Sequence, residues 1–490
     1  MKRHCYSHAK SGGGSPPNFP PRGGFTGRGW FCAVLALLLC GGAARAEDAA
    51  LTFPQAVERM NARNEGLLAA REEVAQREAE RAAARGMRYP KAELEARQTF
   101  LNEPISLSVD PIPLSLTVQD SQFTKGQLRV SMPLYAGGRV DAANRAAEAR
   151  RGEAEAQARQ TGEQMITELA QRYFGVRLAR RAVEVAEIKV RAMERHEYRA
   201  RRLMEEGIVA RVEYLNAGVA LSDARTERAS AERDVAIATE GLMNSLVMES
   251  APDPVSPLFM VPDLEPLETF KSRVDGGHPV LAMLDAKLAQ ARQGVRAERG
   301  ATLPSVYLFA AHELFPGDLT MLDPEWAAGV GAQYTLFDGA QGKNRVIAAR
   351  SIERRVALLR TKYERDLKSL VVKRHEEAGR ARDQFEAFGE TIGLTAENLR
   401  VRTRAFEEGV ATSVEVVDAT LSHARAQLGR NKAAYDFDLA LFQLLEASGQ
   451  AEHFAEYLAR GAAVAGPEPA LQPSEPPAEA GAAPTESSKQ

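Results

Sequence analysis

Side chains able to do chemistry are present in this sequence, but not in the groupings that catalysis needs. The eight histidines are scattered, and none stands at metal-ligand spacing with a glutamate or a second histidine on one helix face. All three cysteines (Cys5, Cys32, Cys40) lie near the N-terminus, so the rest of the chain has no thiolate site. Gly12-Gly13-Gly14 and Gly137-Gly138 resemble phosphate loops in composition only, because no strand–loop–lysine order surrounds them. These patterns argue against an enzyme and against a bound metal or cofactor. What remains is a pair of carboxylate-bearing segments that repeat. Glu205-Glu206-Gly207-Ile208-Val209-Ala210-Arg211-Val212-Glu213-Tyr214-Leu215-Asn216-Ala217 aligns without a gap on the thirteen residues from Glu407 to Ala419. Gly207, Val212, Glu213 and Ala217 recur as Gly409, Val414, Glu415 and Ala419, and Asn216 becomes Asp418.

The elements that must position these residues repeat as well. The same offset of 202 carries Leu134-Tyr135-Ala136-Gly137 onto Leu336-Phe337-Asp338-Gly339, which marks a tandem duplication. Proline is absent from Leu134 to Ala251 and from Glu325 to Gly466, runs of 118 and 142 residues that suit very long helices. Within the first run Leu169, Val176, Val183 and Val190 recur every seven residues, with Ile166, Tyr173, Ala186 and Met193 between them, as in a coiled-coil seam. A helix from about Gly138 to Glu206 spans roughly 100 Å at ~1.5 Å per residue. Gly207 and Gly409 read as helix-ending glycines. Thr412 or Ser413 is placed to cap the returning helix, with Glu415 in its first turn near the positive dipole end. Each half therefore reads as a long antiparallel helical hairpin.

Short alternating segments precede each long helix. Leu128, Val130, Met132 and Leu134 share one face of a strand, and Val330, Ala332, Tyr334 and Leu336 hold the matching positions 202 residues later. Earlier strands are expected at 92–100 and 306–314. Tyr89-Pro90 and Leu303-Pro304 are 214 apart, so the first strand–strand loop carries about twelve extra residues. Strands of about ten residues with one apolar face fit a membrane β-barrel. Glu93, Arg97, Arg129 and Gln333 on the other face suit a wet lumen. Four strands cannot close a barrel, and open edges are not tolerated in lipid. Three copies supply twelve strands; two supply eight, whose interior fills with side chains.

Basic Arg22 and Arg28, an apolar run from Trp30 to Cys40 and Ala44-Arg45-Ala46 read as an export signal over 1–46. Lipid attachment at Cys40 is disfavoured by Leu39, which stands where a small residue is expected. The formal net charge of −3 gives no basic surplus for nucleic acid. Five prolines between Pro252 and Pro266 mark a linker, and residues 451–490, rich in Pro, Ala and Glu, read as a disordered tail.

In this order of elements, in the two strand-to-helix junctions (Leu134-Tyr135-Ala136-Gly137-Gly138-Arg139 and Leu336-Phe337-Asp338-Gly339), in the two tip glycines and in Leu444-Leu445-Glu446-Ala447-Ser448-Gly449, the sequence resembles the TolC-type outer membrane factors. The resemblance runs from Leu51 to about Gly449. It implies a mainly α chain with membrane β, its repeats at 47–250 and 275–450 separated by a 251–274 linker. Three chains would form a 12-stranded barrel continued by a periplasmic α-helical barrel. The function implied is an exit duct in the outer membrane of a Gram-negative bacterium, serving efflux or type I secretion. Its implied partners are a periplasmic adaptor and an inner-membrane transporter of RND, ABC or MFS type. Acidic residues six and nine positions after the second tip glycine line the family's constriction; here they are Glu415, where Asp is expected, and Asp418. The tip turns (Gly207, Ile208, Val209 and Ala210, with Glu213; Gly409, Val410, Ala411 and Ser413) are the implied adaptor-docking surface. A non-transporting periplasmic coiled-coil scaffold is the alternative reading.

Overall fold

The computed structural model describes residues 50–108, 115–318, 320 and 323–466. The export signal with its three cysteines, the Gly12–Gly14 triplet and residues 467–490 lie outside the described residues. The chain begins with β1 (Ala50–Leu51), α1 (Phe53–Arg63) and α2 (Glu65–Gly86), followed by β2 (Lys91–Phe100), β3 (Ile105–Ser108), β4 (Ser115–Gln119) and β5 (Gln122–Tyr135). A hairpin of α3 (Arg139–Glu205) and α4 (Arg211–Leu246) comes next, then β6 (Asp253–Pro254) and β7 (Phe259–Met260). The second round comprises α5 (Leu267–Asp275), α6 (Pro279–Gly300), β8 (Ser305–Glu313), β9 (Trp326–Gln333), α7 (Gln341–Glu407) and α8 (Ser413–Ala447). Helix α9 (Phe454–Arg460) and β10 (Ala462–Ala463) close the described part.

The duplication holds at the level of element ends. Helices α3 and α7 each have 67 residues and start and stop at positions 202 apart. Helices α2 and α6 each have 22 residues and are offset by 214. Caps explain where the helices begin. Thr52 Oγ1 accepts from Gln55 N while the Gln55 side chain accepts from Thr52 N. Asn64 Oδ1 accepts from Gly66 N at 2.9 Å, and His278 Nδ1 from Val280 N at 3.1 Å. At the junction from β5 to α3, Gly137 takes φ +61 with its backbone against Gly300; a Cβ there would lie 2.2 Å from Gly300 O. Only glycine satisfies both the left-handed backbone and that approach.

The main sheet runs β2-β5-β8-β9, antiparallel throughout. Lys91 pairs Ser131 and Gln98 pairs Thr124; adding the two offsets gives Ser305–Gln333 and His312–Trp326, which are the observed pairs. The repeat therefore preserves strand register as well as element order. Leu94, Phe100, Trp326 and Val330 stand on one face, 64–69% exposed. The opposite face carries Glu93 opposite Arg129 and Arg97 opposite Lys125.

Three expectations are corrected. The fourth strand stops at Gln333, so Tyr334 and Leu336 fall beyond it, because β8 begins opposite at Ser305 and no other strand among the described residues lies beside β9. The extra residues of the first loop form a separate hairpin, β3 with β4, where Leu107 faces Leu116; the four main strands are thus not the only ones. The expected disordered tail is structured from 451 to 466 among the described residues. Its apolar residues Phe454, Tyr457 and Val464 are buried, and β10 pairs with β7. The 251–274 segment likewise carries β6, β7 and most of α5.

The principal core lies where the hairpin bases meet these short elements. Phe53, Tyr173, Phe174, Phe442 and Phe454 stack with ring centroids mostly 5.1–5.9 Å apart. Tyr173 is fully buried, yet its hydroxyl donates to Leu51 O at 2.5 Å and accepts from Ser256 N at 2.9 Å. A buried hydroxyl needs such partners. Asp438 is buried there with Oδ2 accepting from Phe259 N at 3.3 Å, and burial holds its carboxyl well above the ordinary range. Glu163, buried beside the 451 turn, is pushed up to about 8 by desolvation.

Candidate functional site

The two hairpin tips carry the repeated carboxylate segments, and both turns close in the same way. In the first, Ile208 N donates to Leu203 O at 2.9 Å and Gly207 N to Met204 O at 3.0 Å. In the second, Val410 N donates to Ala405 O at 2.9 Å and Gly409 N to Phe406 O at 3.1 Å. Gly207 at φ +77 and Gly409 at φ +71 supply the left-handed residue of this Schellman arrangement. Ile208 and Val410 project from the ends, 53% and 77% exposed. The turns touch: a Cβ on Gly409 would meet Ile208 Cγ2 at 3.2 Å.

Behind the turns a small core of Ala200, Ala217, Leu399, Phe406, Val416 and Ala419 joins the two hairpins. A polar lock runs through it. The Glu213 carboxylate accepts from Ser413 N at 2.6 Å, so a side chain of the first hairpin satisfies the helix start of the second. Ser413 Oγ lies 2.7 Å from His196 Nε2, and the His196 ring packs on Phe406 with centroids 4.8 Å apart. Burial, with a smaller contribution from Arg199, pushes the His196 imidazole down to about 4. It is therefore neutral at ordinary pH. Arg199 and Glu407 add an ion pair across the hairpins at 3.1 Å.

Glu415 and Asp418 lie one turn apart on α8. Thr412 Oγ1 accepts from Glu415 N, which caps the helix, and donates to Glu415 Oε1 at 3.2 Å. The same carboxylate is paired with Arg402 of α7. Both partners are substantially exposed, so this pair contributes little to stability, about 0–1 kcal/mol; its effect is to balance charge. Asp418 is exposed and has no hydrogen-bond or ion partner among the described residues. No group of metal-binding residues occurs among them either.

The family model described as outer membrane efflux protein matches residues 56–246 and 272–450. The chain belongs to the outer membrane efflux protein family. No curated protein matches the chain in sequence. Among solved structures, VceC of Vibrio cholerae shares 14% identity over 81% of this chain and 96% of its own, with a TM-score of 0.69. CmeC of Campylobacter jejuni shares 15% identity over 83% and 89%, with a TM-score of 0.68. The open state of MtrE from Neisseria gonorrhoeae shares 17% over 81% and 89%, with a TM-score of 0.66. At such identities the likeness carries the fold, and the family match carries the function.

This efflux protein is an exit duct of the Gram-negative outer membrane. It is a trimeric channel whose helical barrel extends into the periplasm, and it works within a tripartite assembly. The coiled-coil scaffold reading falls away with that membership. No helix among the described residues is long and apolar enough to cross a membrane. The four-stranded sheet with its exposed apolar face is the membrane element of this outer membrane efflux protein.

The sequence-predicted residues divide in the structure. Gly207, Ile208, Ala210, Gly409 and Val410 are exposed, and Val209, Ala411 and Glu213 are half-buried. Ser413 is not a surface residue: it is fully buried, because its N–H and hydroxyl are committed to Glu213 and His196. Glu213 faces the other hairpin, where its carboxylate accepts from Ser413 N. His196, Arg199 and Arg402 were not anticipated. An arginine thirteen residues before Glu415 carries no helical signal of a contact, since the two sit on different helices.

Proposed function

We propose that the three copies narrow their periplasmic end with Glu415 and Asp418, and that the tip turns dock a periplasmic adaptor. That adaptor couples the duct to an inner-membrane transporter of RND, ABC or MFS type. The observation that carries this reading is the unpaired, exposed Asp418 one turn from Glu415, at the end of a hairpin whose turn is locked. Threefold symmetry turns two acidic positions into six carboxylates around an axis. Carboxylates gathered that closely stay ionised only when cations, arginines or hydrogen bonds balance them. Arg402 serves Glu415 within each chain, which leaves Asp418 for a mobile cation.

The duct itself is passive and has no chemistry of its own. Docking is supported by Ile208 and Val410, aliphatic knobs on backbone turns held by paired hydrogen bonds. An adaptor with small apolar grooves between its helices fits them. Cargo choice, whether small molecules or a secreted protein, falls to the energised partner in the inner membrane.

The test is electrical. Glu415→Ala combined with Asp418→Ala is expected to raise single-channel conductance in planar bilayers and to weaken block by divalent cations. Wild-type conductance and wild-type block in the double variant remove the constriction assignment and leave family membership untouched.

A further inference from the structure

Strands β2 and β9 are the two open edges of the sheet: β2 pairs only with β5 and β9 only with β8, so the outer side of each has no partner among the described residues. In a three-copy barrel the β9 edge of one protomer must meet the β2 edge of the next. The internal duplication specifies the register of that meeting. Two offsets, 202 for the β5/β9 pair and 214 for the β2/β8 pair, carry every β8–β9 partnership onto an observed β2–β5 partnership. The remaining partnership of the sheet, β5 with β8, is the one that joins the two repeats. Its counterpart under the same mapping is β9 of one protomer with β2 of another.

We propose that this subunit seam copies the β5–β8 register residue for residue. The observed pairs Val130–Ala310, Ser131–Phe309 and Met132–Leu308 become Ala332 opposite Ala96, Gln333 opposite Glu95 and Tyr334 opposite Leu94, the second residue belonging to the next copy. The inference rests on the three-copy barrel and goes beyond it by fixing which residues touch.

Three observations support it. Side-chain chemistry matches on both faces: Tyr334 and Leu94, 56% and 69% exposed in the single chain, meet on the apolar side, and Gln333 meets Glu95 on the polar side. A one-residue slip would place Tyr334 opposite a glutamate and reverse every side chain. Second, β5 runs on to Tyr135 with β8 beside it, whereas β9 stops at Gln333. The residues that extend β5 correspond to those after Gln333, which lack a neighbour in the single chain; Leu336 and Phe337 are each 88% exposed. Third, the irregularity between Pro133 and Tyr135 maps onto Leu336, the residue the seam leaves looped out.

Cysteine pairs test the register. Ala332→Cys with Ala96→Cys in one chain is expected, on oxidation with copper phenanthroline in outer membranes, to shift the monomer on a non-reducing denaturing gel to a covalent trimer. The shifted pair Ala332→Cys with Leu94→Cys is expected to stay monomeric, because diagonal neighbours stand ~7–8 Å apart, beyond the usual disulfide span. The intrachain pair Val130→Cys with Ala310→Cys, from which the mapping is drawn, sets the yield for a correct register. Linkage of the shifted pair, or no linkage of the in-register pair in trimers where the intrachain control closes, overturns the proposal. Should the first double variant not assemble, Thr335→Cys with Glu93→Cys is the next mapped pair on the polar side and is read the same way. Loss of the trimer in the unmodified protein would instead sink the three-copy barrel, and native mass measurement shows that separately.

Discussion

Glu213 and Glu415 stand at the same place in their repeats and hold different partners. Glu213 reaches across to the backbone of Ser413, whereas Glu415 stays beside its own cap and pairs with Arg402. Their surroundings differ in step. Thr412 caps its helix, and its counterpart Ala210 has no side-chain cap. Arg402 is exposed, and its counterpart Ala200 is fully buried in the tip core. His196 is buried, and its counterpart Asn398 is exposed. The reason lies in packing: α3 is flanked by α8 of the other repeat, while the equivalent pairing of α7 with α4 does not recur to that extent among the described residues. Duplication kept the backbone and the register. At these positions the side chains diverged where one copy has a neighbour that the other lacks among the described residues.

This asymmetry can be broken in graded ways. The largest effect is expected from Phe406→Ala, which empties a site 1% exposed in the tip core at a cost of about 3–5 kcal/mol. The half-buried counterpart Met204→Ala should cost less. Hydrogen exchange of the tip peptides, read by mass spectrometry, ranks the two; equal protection loss would mean that the tips are equivalent after all.

Acid comes next. His196 is held neutral in the fold, so the unfolded chain binds more protons between its ordinary value of 6.5 and about 4. The stability it contributes is present above pH 6.5 and is lost as pH falls through that window, on the order of 3 kcal/mol. Glu163 slopes the other way: raised to about 8, it favours the fold at low pH and loses that contribution as pH rises from 4.5 to about 8. Acidification to pH 5 should therefore open the tips before the principal core, and His196→Asn, which copies the second repeat, should flatten the tip response. Tip exchange that ignores pH in the wild type would count against this assignment.

The smallest effects concern the caps. Thr412→Ala should cost about 1 kcal/mol at the start of α8. Ala210→Thr, placed on a backbone already extended at φ −73 and ψ 153, should gain up to that amount at the start of α4. If both changes leave exchange at the two helix starts unaltered, the caps do not distinguish the repeats.

Most of the architecture was legible beforehand, and the reasons are local. Proline-free runs, a seven-residue apolar recurrence and two glycines announce hairpins, because helices report their periodicity and their ends in the chain itself. Alternation announced the strands, and counting them required partners. The end of β9 was less legible, since a strand extends only as far as something lies beside it. The ordered stretch from 451 to 466 was hidden because Phe454 and Tyr457 sit in a composition otherwise typical of tails. At the candidate site, the positions of the acidic residues could be anticipated and their partners could not.

Taken alone, the sequence determined the repeat, the helix lengths, the tip turns and the alternation of the strands. Each is set by interactions within a few residues or by period. Tertiary structure alone decided that Ser413 is buried, that Glu213 serves the other hairpin and that His196 loses its proton. Those outcomes depend on which helix lies alongside, and a residue's neighbours across a helix pair have no fixed distance along the chain.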